Sequence, residues 1–198
     1  MFKYLDRTKE WTRQWATKHA QGKHAKGWLA ATAFAEASFF PVPPDILLIA
    51  LLLSGVKAWV QLVGITTLFS VLGGLFGYVI GVFLFETIGA PLVAFYHLES
   101  QMAEIGELFQ EHSFITLFAA AFTPIPYKVF TIAAGLFHID ILLFTLAAII
   151  GRGARFGVIG YAVHRYGKRI STFLYDYFNL LSLVILLAIV VILFTSFK

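Results

Sequence analysis

The sequence contains no cysteine and few charged residues. Without cysteine the chain cannot form disulfides, thiolate metal sites or a thiol nucleophile. Charged residues make up 13% of the 198 residues and hydrophobic types 59%, whereas an ordinary soluble domain has about 25% charged residues. This composition excludes a disordered tail and a nucleic-acid-binding protein. The apolar excess is too large for the core of one soluble domain, so the chain is predicted to reside in a membrane.

Proline is also scarce, and five of the six prolines fall within two apolar stretches, 28–56 and 113–137. They are Pro41, Pro43, Pro44, Pro124 and Pro126. Proline lacks the backbone N–H and clashes with the preceding helical turn, so each group is expected to stop a helix. Broken backbone at membrane depth must be surrounded by protein or line a cavity. Both stretches are therefore interpreted as re-entrant helical hairpins, with kinked spanning helices as the alternative.

Three uninterrupted apolar stretches, 58–85, 139–163 and 177–197, each reach the roughly 20 residues that a membrane-spanning helix needs. The basic segment 1–27 has apolar residues near helical spacing and is predicted to be an amphipathic helix in the membrane interface. An ordinary cytoplasmic tail is the alternative for that segment.

The two proline-containing stretches are copies of each other. The run from Phe39 to Asp45 matches the run from Phe122 to Lys128, and Pro124 follows Pro41 by 83 residues. The same offset aligns Gly74 and Gly77 with Gly157 and Gly160. Because a hairpin and a helix motif agree at one offset, the repeat is a specific signal. The four glycines are predicted helix-packing positions.

Each copy contains one hairpin, which does not change side, and one crossing, which does. The second copy must then enter from the opposite face, as in inverted-repeat transporters. The sequence thus predicts an all-α integral membrane protein: repeat one is 28–85 and repeat two is 111–168. These lie within a membrane domain at 28–170, followed by an extra C-terminal transmembrane helix in 171–198.

Loop charges favour this topology. Residues 86–112 contain five glutamates and no lysine or arginine, whereas 164–176 contain three basic residues. By the positive-inside rule, the N-terminus and 164–176 are predicted to be cytoplasmic and 86–112 external. The chain is accordingly expected to be a multi-pass protein of the cell (inner) membrane.

Ionisable residues at membrane depth are functional candidates, because each costs about 2.5–3.5 kcal/mol at the bilayer centre on insertion scales. Arg152 and Arg155 are three apart and share a helix face, where two guanidiniums suit a phosphate. With Lys128 they are the predicted substrate-binding residues. Glu36 and Asp45 are the predicted proton-coupling residues, because a carboxylate in a dry site can exchange protons.

The sequence also allows purely structural roles for these charges. Asp45 and Lys128 occupy equivalent repeat positions and are expected to approach each other, either as a structural ion pair or as a functional one. Arg152 and Arg155 could instead neutralise Glu36 and Asp45. The Gly-x-x-Gly runs can pack within one chain or between chains, so a homo-oligomer is also left open.

These motifs resemble a known family. Glu36 with Pro41-Val42-Pro43-Pro44-Asp45 is similar to the acidic Pro-x-Pro signature of the DedA membrane proteins, also called the SNARE-associated or VTT domain family. The run from Phe122 to Gly135 resembles their second signature in its YqaA-like form. Many members carry an arginine where this chain has Ala121, so its positive charge is expected on Arg152 and Arg155 instead.

The resemblance implies a lipid transporter, a flippase or scramblase, with a link to the proton gradient. Its substrate would be an anionic or phosphate-bearing lipid such as undecaprenyl phosphate or a phospholipid. The alternative is a membrane assembly or envelope-homeostasis factor whose buried charges are structural pairs. No nucleophile–base pairing, P-loop or metalloprotease motif is present. The chain is therefore expected to be no enzyme and to have no catalytic residue, no metal site and no cofactor.

Overall fold

A computed structural model describes residues 24–39, 43–54, 58–95, 97, 99–123 and 126–167. These residues form helices joined by short turns, without a β-strand among them. The helices are α1 Ala25–Ser38, α2 Pro44–Leu53, α3 Trp59–Leu84, α4 Ala90–Phe95, α5 Glu99–Glu111, α6 Ser113–Phe122, α7 Tyr127–Leu136 and α8 Ile141–Tyr166. A π-helical turn, Phe85–Gly89, joins α3 to α4. Most of the N-terminal segment, the predicted C-terminal helix in 171–198, Pro41 and Pro124 lie outside the described residues.

Within the described residues, two helices are long and apolar enough to cross a membrane. One continues from α3 through the π-helical turn to Phe95, and the other is α8. They coincide with the apolar stretches 58–85 and 139–163. Their outer faces expose large apolar side chains, among them Leu72 and Phe76 on α3 and Leu142 and Leu146 on α8. Exposed apolar stripes of this extent suit a lipid environment rather than water.

The helices follow the repeat found in the sequence. The helices α2 and α7 have 10 residues each and begin at positions 44 and 127, which differ by the repeat offset. The helices α3 and α8 have 26 residues each. Asp140 precedes α8 and its carboxylate accepts a hydrogen bond from the N–H of Leu143 at 2.8 Å. Asp140 is thus the N-cap residue of α8.

Proline determines where α2 and α7 begin. Pro43 is the N-cap residue of α2 and Pro44 is its first helical residue. Pro126 is the N-cap residue of α7. Proline is tolerated at the start of a helix, because the N–H that it lacks would have no helical partner there. A helix thus ends before each Pro-x-Pro motif and another begins after it.

The two repeats exchange one short helix each, in the sense that the helix after the break packs against the long helix of the other repeat. In each repeat the helix before the break packs against its own long helix: α1 against α3, and α6 against α8. The helix after the break packs against the long helix of the other repeat: α2 against α8, and α7 against α3. The long helices α3 and α8 also contact each other. Asp45, in the first turn of α2, therefore lies beside the long helix of the second repeat.

Glycines allow these helices to approach closely. A Cβ atom on Gly81 would clash with the carbonyl of Ile132, and one on Gly135 with the carbonyl of Tyr78, where α3 meets α7. Close helix packing of this kind is typical of membrane bundles.

Three of the four predicted packing glycines lie at such contacts. A Cβ on Gly77 would clash with Thr131 and one on Gly160 with Val63, while one on Gly74 would stand 3.3 Å from the Tyr127 ring. Gly157 differs, because no described atom would lie within 4 Å of its Cβ.

Candidate functional site at the helix breaks

The candidate site centres on two buried arginines near the middle of α8. Their side chains are 2% exposed for Arg152 and 7% exposed for Arg155. Because they are three positions apart on the helix, they lie on one face, towards the two helix breaks. Two buried guanidiniums require counter-charges or hydrogen-bond acceptors nearby, and Glu36 on α1 and Asp45 on α2 each supply a carboxylate.

Arg155 connects the two helix breaks. Its Nη2 lies 2.5 Å from Oδ2 of Asp45, and its Nε donates to Oδ1 at 3.3 Å. Asp45 is in the first turn of α2, directly after the first break. The Nη1 group of Arg155 donates to the main-chain carbonyl of Thr123, which follows the last residue of α6. That carbonyl has no partner within its own helix, because it lies at the helix end.

Arg152 has a different environment. Its Nη2 lies 2.9 Å from Oε2 of Glu36, and its guanidinium stacks over the ring of Tyr127, 4.1 Å from the centroid. The ion pair is not aligned as a hydrogen bond. Within the described residues, Nε and Nη2 of Arg152 and Oε2 of Glu36 are buried without a hydrogen-bond partner. Arg152 therefore retains donors for another acceptor.

Lys128 does not pair with Asp45, contrary to the approach expected from their equivalent repeat positions. Within the described residues Asp45 forms its ion pair with Arg155, and no carboxylate lies within 4.0 Å of the Lys128 amine. The reason is the exchange of short helices. Asp45 is on α2, which packs against α8, whereas Lys128 is on α7, which packs against α3. Lys128 is half-buried.

The four charges that do meet are formally balanced. Glu36 and Asp45 offset Arg152 and Arg155, and their carboxylate side chains are 16% and 12% exposed. The acids are thus more accessible than the arginines that they neutralise. Lys128 adds one positive charge at the second break.

Three contributors to the site were not identified from the sequence. They are the ring of Tyr127, the carbonyl of Thr123 and the hydroxyl of Thr131, which donates to the carbonyl of Ala37 at 3.1 Å and so joins α7 to α1. Tyr127 lies inside the second proline motif, between Pro126 and Lys128. This position is the sequence feature that could have identified it as part of the site. A contribution from a main-chain carbonyl leaves no trace in the sequence.

Among the described residues, no group of three or more histidine, aspartate or glutamate side chains could hold a metal ion. The charges at the site are arginine–carboxylate pairs, and such pairs can bind an anion, exchange partners or hold helices together.

A family model described as the VTT domain matches residues 42–165. The chain belongs to the VTT domain family. This is the domain of the DedA, or SNARE-associated, membrane proteins, which are regarded as transporter-like. The matched range of this VTT domain contains Asp45, Lys128, Arg152 and Arg155, and Glu36 lies just before it.

Two relatives are similar in sequence to this VTT domain protein. A protein of Haemophilus influenzae is 36% identical over 151 residues, covering 76% of this chain and 74% of the relative. A protein of Histophilus somni is 33% identical over 163 residues, covering 81% of each. Both are described only as uncharacterized. No solved structure is significantly similar to the chain.

Proposed function

We propose that the protein is a multi-pass membrane carrier that moves an anionic, phosphate-bearing lipid across the bilayer. One observation carries this proposal: two buried arginines, paired with the carboxylates of Glu36 and Asp45, lie beside both helix breaks. Buried charge at membrane depth is costly and marks functional sites in membrane proteins. The VTT domain, found in transporter-like proteins, supports the same reading.

In the proposed topology both hairpins are re-entrant and enter from opposite faces. Helices of 10 residues, such as α2 and α7, span about 15 Å at 1.5 Å per residue. This is half of the roughly 30 Å hydrocarbon core, so each hairpin can reach the midplane but cannot cross as one straight helix. The exchange of α2 and α7 between the long helices supports an inverted repeat. The N-terminus is proposed to be cytoplasmic.

The charges of the site favour an anionic substrate. Glu36 and Asp45 balance the two arginines, and Lys128 contributes a further positive charge. Arginine presents a planar set of donors that matches phosphate oxygens, and Arg152 keeps two buried donor nitrogens without a hydrogen-bond partner in the described residues. A phosphate head group can therefore bind there while its acyl or prenyl chains remain against the apolar outer faces of α3 and α8.

The carboxylates can couple this binding to protons. Protonation of Glu36 removes the negative charge beside Arg152 and frees that guanidinium for the lipid phosphate. Loss of the proton restores the ion pair and displaces the phosphate. Such an exchange of partners gives the site two states, and a proton gradient biases them because the pair is formed in only one.

A matched pair of arginine variants tests the proposal. Arg152→Ala removes the buried guanidinium, whereas Arg165→Ala removes an exposed one from the last turn of the same helix. The chain is reconstituted in vesicles with a fluorescent phospholipid, and movement between leaflets is followed by reduction of the outer-leaflet label. We expect Arg152→Ala to lose lipid movement and Arg165→Ala to keep it. Normal movement by a folded Arg152→Ala protein would exclude this arginine from the mechanism.

A second candidate function is membrane assembly without transport. It is favoured by the fact that both buried arginines are in ion pairs, as a purely structural cluster would be. Exchange of the charges, Asp45→Arg with Arg155→Asp, separates the two functions. A structural pair tolerates the exchange, so full restoration of both folding and cellular function would favour an assembly factor. Restored folding without restored lipid movement would favour the carrier.

A further inference from the structure

Two hydroxyl groups on α3 are unusual among the described helices. Serine and threonine side chains in helices commonly donate to the carbonyl one turn earlier. Thr66 does so to Leu62 at 2.7 Å, and Thr145 does so to Ile141 at 2.6 Å. The hydroxyl oxygens of Thr67 and Ser70 are also buried, but they have no hydrogen-bond partner within the described part of the chain. A buried polar group without a partner calls for an explanation.

These hydroxyls lie on a side of α3 that contacts α8 at Gly153 and α7 at Tyr127. Thr67, Ser70 and Gly74 follow one another at helical spacing and share that side. A Cβ on Gly153, the neighbour of Arg152, would stand 3.7 Å from the methyl group of Thr67. At the other end, a Cβ on Gly74 would stand 3.3 Å from the ring of Tyr127. Ser70 lies between these two contacts.

Tyr127 completes the group. Its side chain is fully buried, its ring lies under the Arg152 guanidinium, and its hydroxyl likewise has no hydrogen-bond partner among the described residues. The hydroxyls of Thr67, Ser70 and Tyr127 and two nitrogens of Arg152 are thus buried without a hydrogen-bond partner among the described residues. Each of these five groups can donate a hydrogen bond, although the hydroxyls can also accept one. A phosphate oxyanion only accepts hydrogen bonds, so it can use all five as donors.

We propose that Thr67, Ser70 and Tyr127 are hydroxyl donors that bind the oxyanion of a phosphate group together with Arg152. This inference rests on the proposed function and adds three residues to the same site. The phosphate displaces Glu36 from Arg152 and takes its oxygens into the reach of the three hydroxyls. The hydroxyls then replace the water that solvated the phosphate, so the head group can enter a buried site.

Binding is measured on the full chain in detergent through the ligand-induced rise of the unfolding temperature. The probes are dioctanoyl phosphatidic acid, inorganic phosphate and dioctanoylglycerol, which lacks the phosphate. The variants are Thr67→Val, Ser70→Ala and Tyr127→Phe, which keep the side-chain shape or the ring. Thr66→Val is the matched control, because it removes an adjacent buried hydroxyl that is already bonded within the helix.

We expect phosphatidic acid to stabilise the unaltered chain and to bind about tenfold more weakly to each of the three variants, since each loses one hydrogen bond to a charged group. Thr66→Val should bind it like the unaltered chain. Without ligand, Ser70→Ala should unfold at no lower temperature, because its hydroxyl forms no bond in the described fold. Inorganic phosphate with the same pattern of loss would also support the oxyanion site and would identify free phosphate as the source.

The proposal is overturned if the three variants bind phosphatidic acid as tightly as the unaltered chain, which would mean that the hydroxyls are bonded to ordered water. It is also overturned if Thr66→Val loses as much affinity, if dioctanoylglycerol binds equally well, or if no phosphate probe binds. The carrier role is tested apart from this. A chain that binds phosphate through the hydroxyls but moves no lipid would refute transport alone, and normal movement by all three variants would refute only the hydroxyl site.

Discussion

The guanidinium of Arg155 binds both carboxylate oxygens of Asp45 across 110 positions of the sequence. Because Arg155 is on the long helix of the second repeat and Asp45 on a short helix of the first, this ion pair joins the two repeats. The same guanidinium reaches the carbonyl of Thr123 at the second break. One side chain therefore links both helix breaks.

Loss of this ion pair should destabilise the fold. Asp45→Asn leaves the buried charge of Arg155 without its partner, and breaking a buried pair on one side costs about 3–5 kcal/mol. We expect a clearly lower unfolding temperature in detergent, measured by intrinsic tryptophan fluorescence. The control is Glu86→Gln, at an exposed carboxylate outside the cluster. An unfolding temperature of Asp45→Asn equal to that of the control would contradict the role of the pair.

Glu36 should determine how lipid movement responds to a proton gradient. In the proposed mechanism a proton on Glu36 frees Arg152, so an imposed proton gradient is expected to change the rate of lipid movement in vesicles. Glu36→Gln keeps the shape of the side chain but cannot carry the charge. We expect this variant to move lipid at a rate that responds much less to the imposed gradient. An unchanged response to the gradient would assign proton coupling to another group.

Replacement of glycine by alanine should affect the unfolding temperature differently at close helix contacts and at open positions. Alanine is about 1 kcal/mol more favourable than glycine inside a helix. Gly157→Ala, with no described atom near its Cβ, should be neutral or slightly stabilising. Gly135→Ala would clash with the carbonyl of Tyr78 and should lower the unfolding temperature, because backbone must move. Equal effects of the two substitutions would show that α3 and α7 are not packed as described.

The absence of cysteine allows a direct test of the proposed topology. If both hairpins are re-entrant, residues 86–112 are external, whereas hairpins that span would make this loop cytoplasmic. A single cysteine at Ala103 should react with a membrane-impermeant maleimide in intact cells. A cysteine at Tyr166, in the last turn of α8, should react only after permeabilisation. Ala103→Cys that is protected until permeabilisation would refute the re-entrant hairpins.

Much of the fold follows from local physics. Each Pro-x-Pro motif stops a helix, so the ends of α1 and α6 and the starts of α2 and α7 could be anticipated from Pro43 and Pro126. The helical stretches at α3 and α8 follow from their length and apolarity. The repeat offset of 83 residues also appears in the starts of α2 and α7. The N-terminal segment and the helix predicted in 171–198 stay predictions.

The partners within the site could not be derived in the same way. Equivalent repeat positions suggested a pair between Asp45 and Lys128, but α2 and α7 pack against different long helices, and Asp45 faces Arg155 instead. The choice of partner depends on which helices exchange, which is a property of the tertiary packing. The stacking of Arg152 on Tyr127 has the same origin.

The central claim is that the chain moves a phosphate-bearing lipid by means of its buried arginines. It is tested most directly in vesicles that contain the purified chain and either a labelled phospholipid or a labelled neutral glycolipid of the same chain length. The account predicts that the chain accelerates the phospholipid strongly and the glycolipid little, and that Arg152→Ala abolishes the difference. Equal rates for both lipids, or rates equal to those of protein-free vesicles, would contradict it.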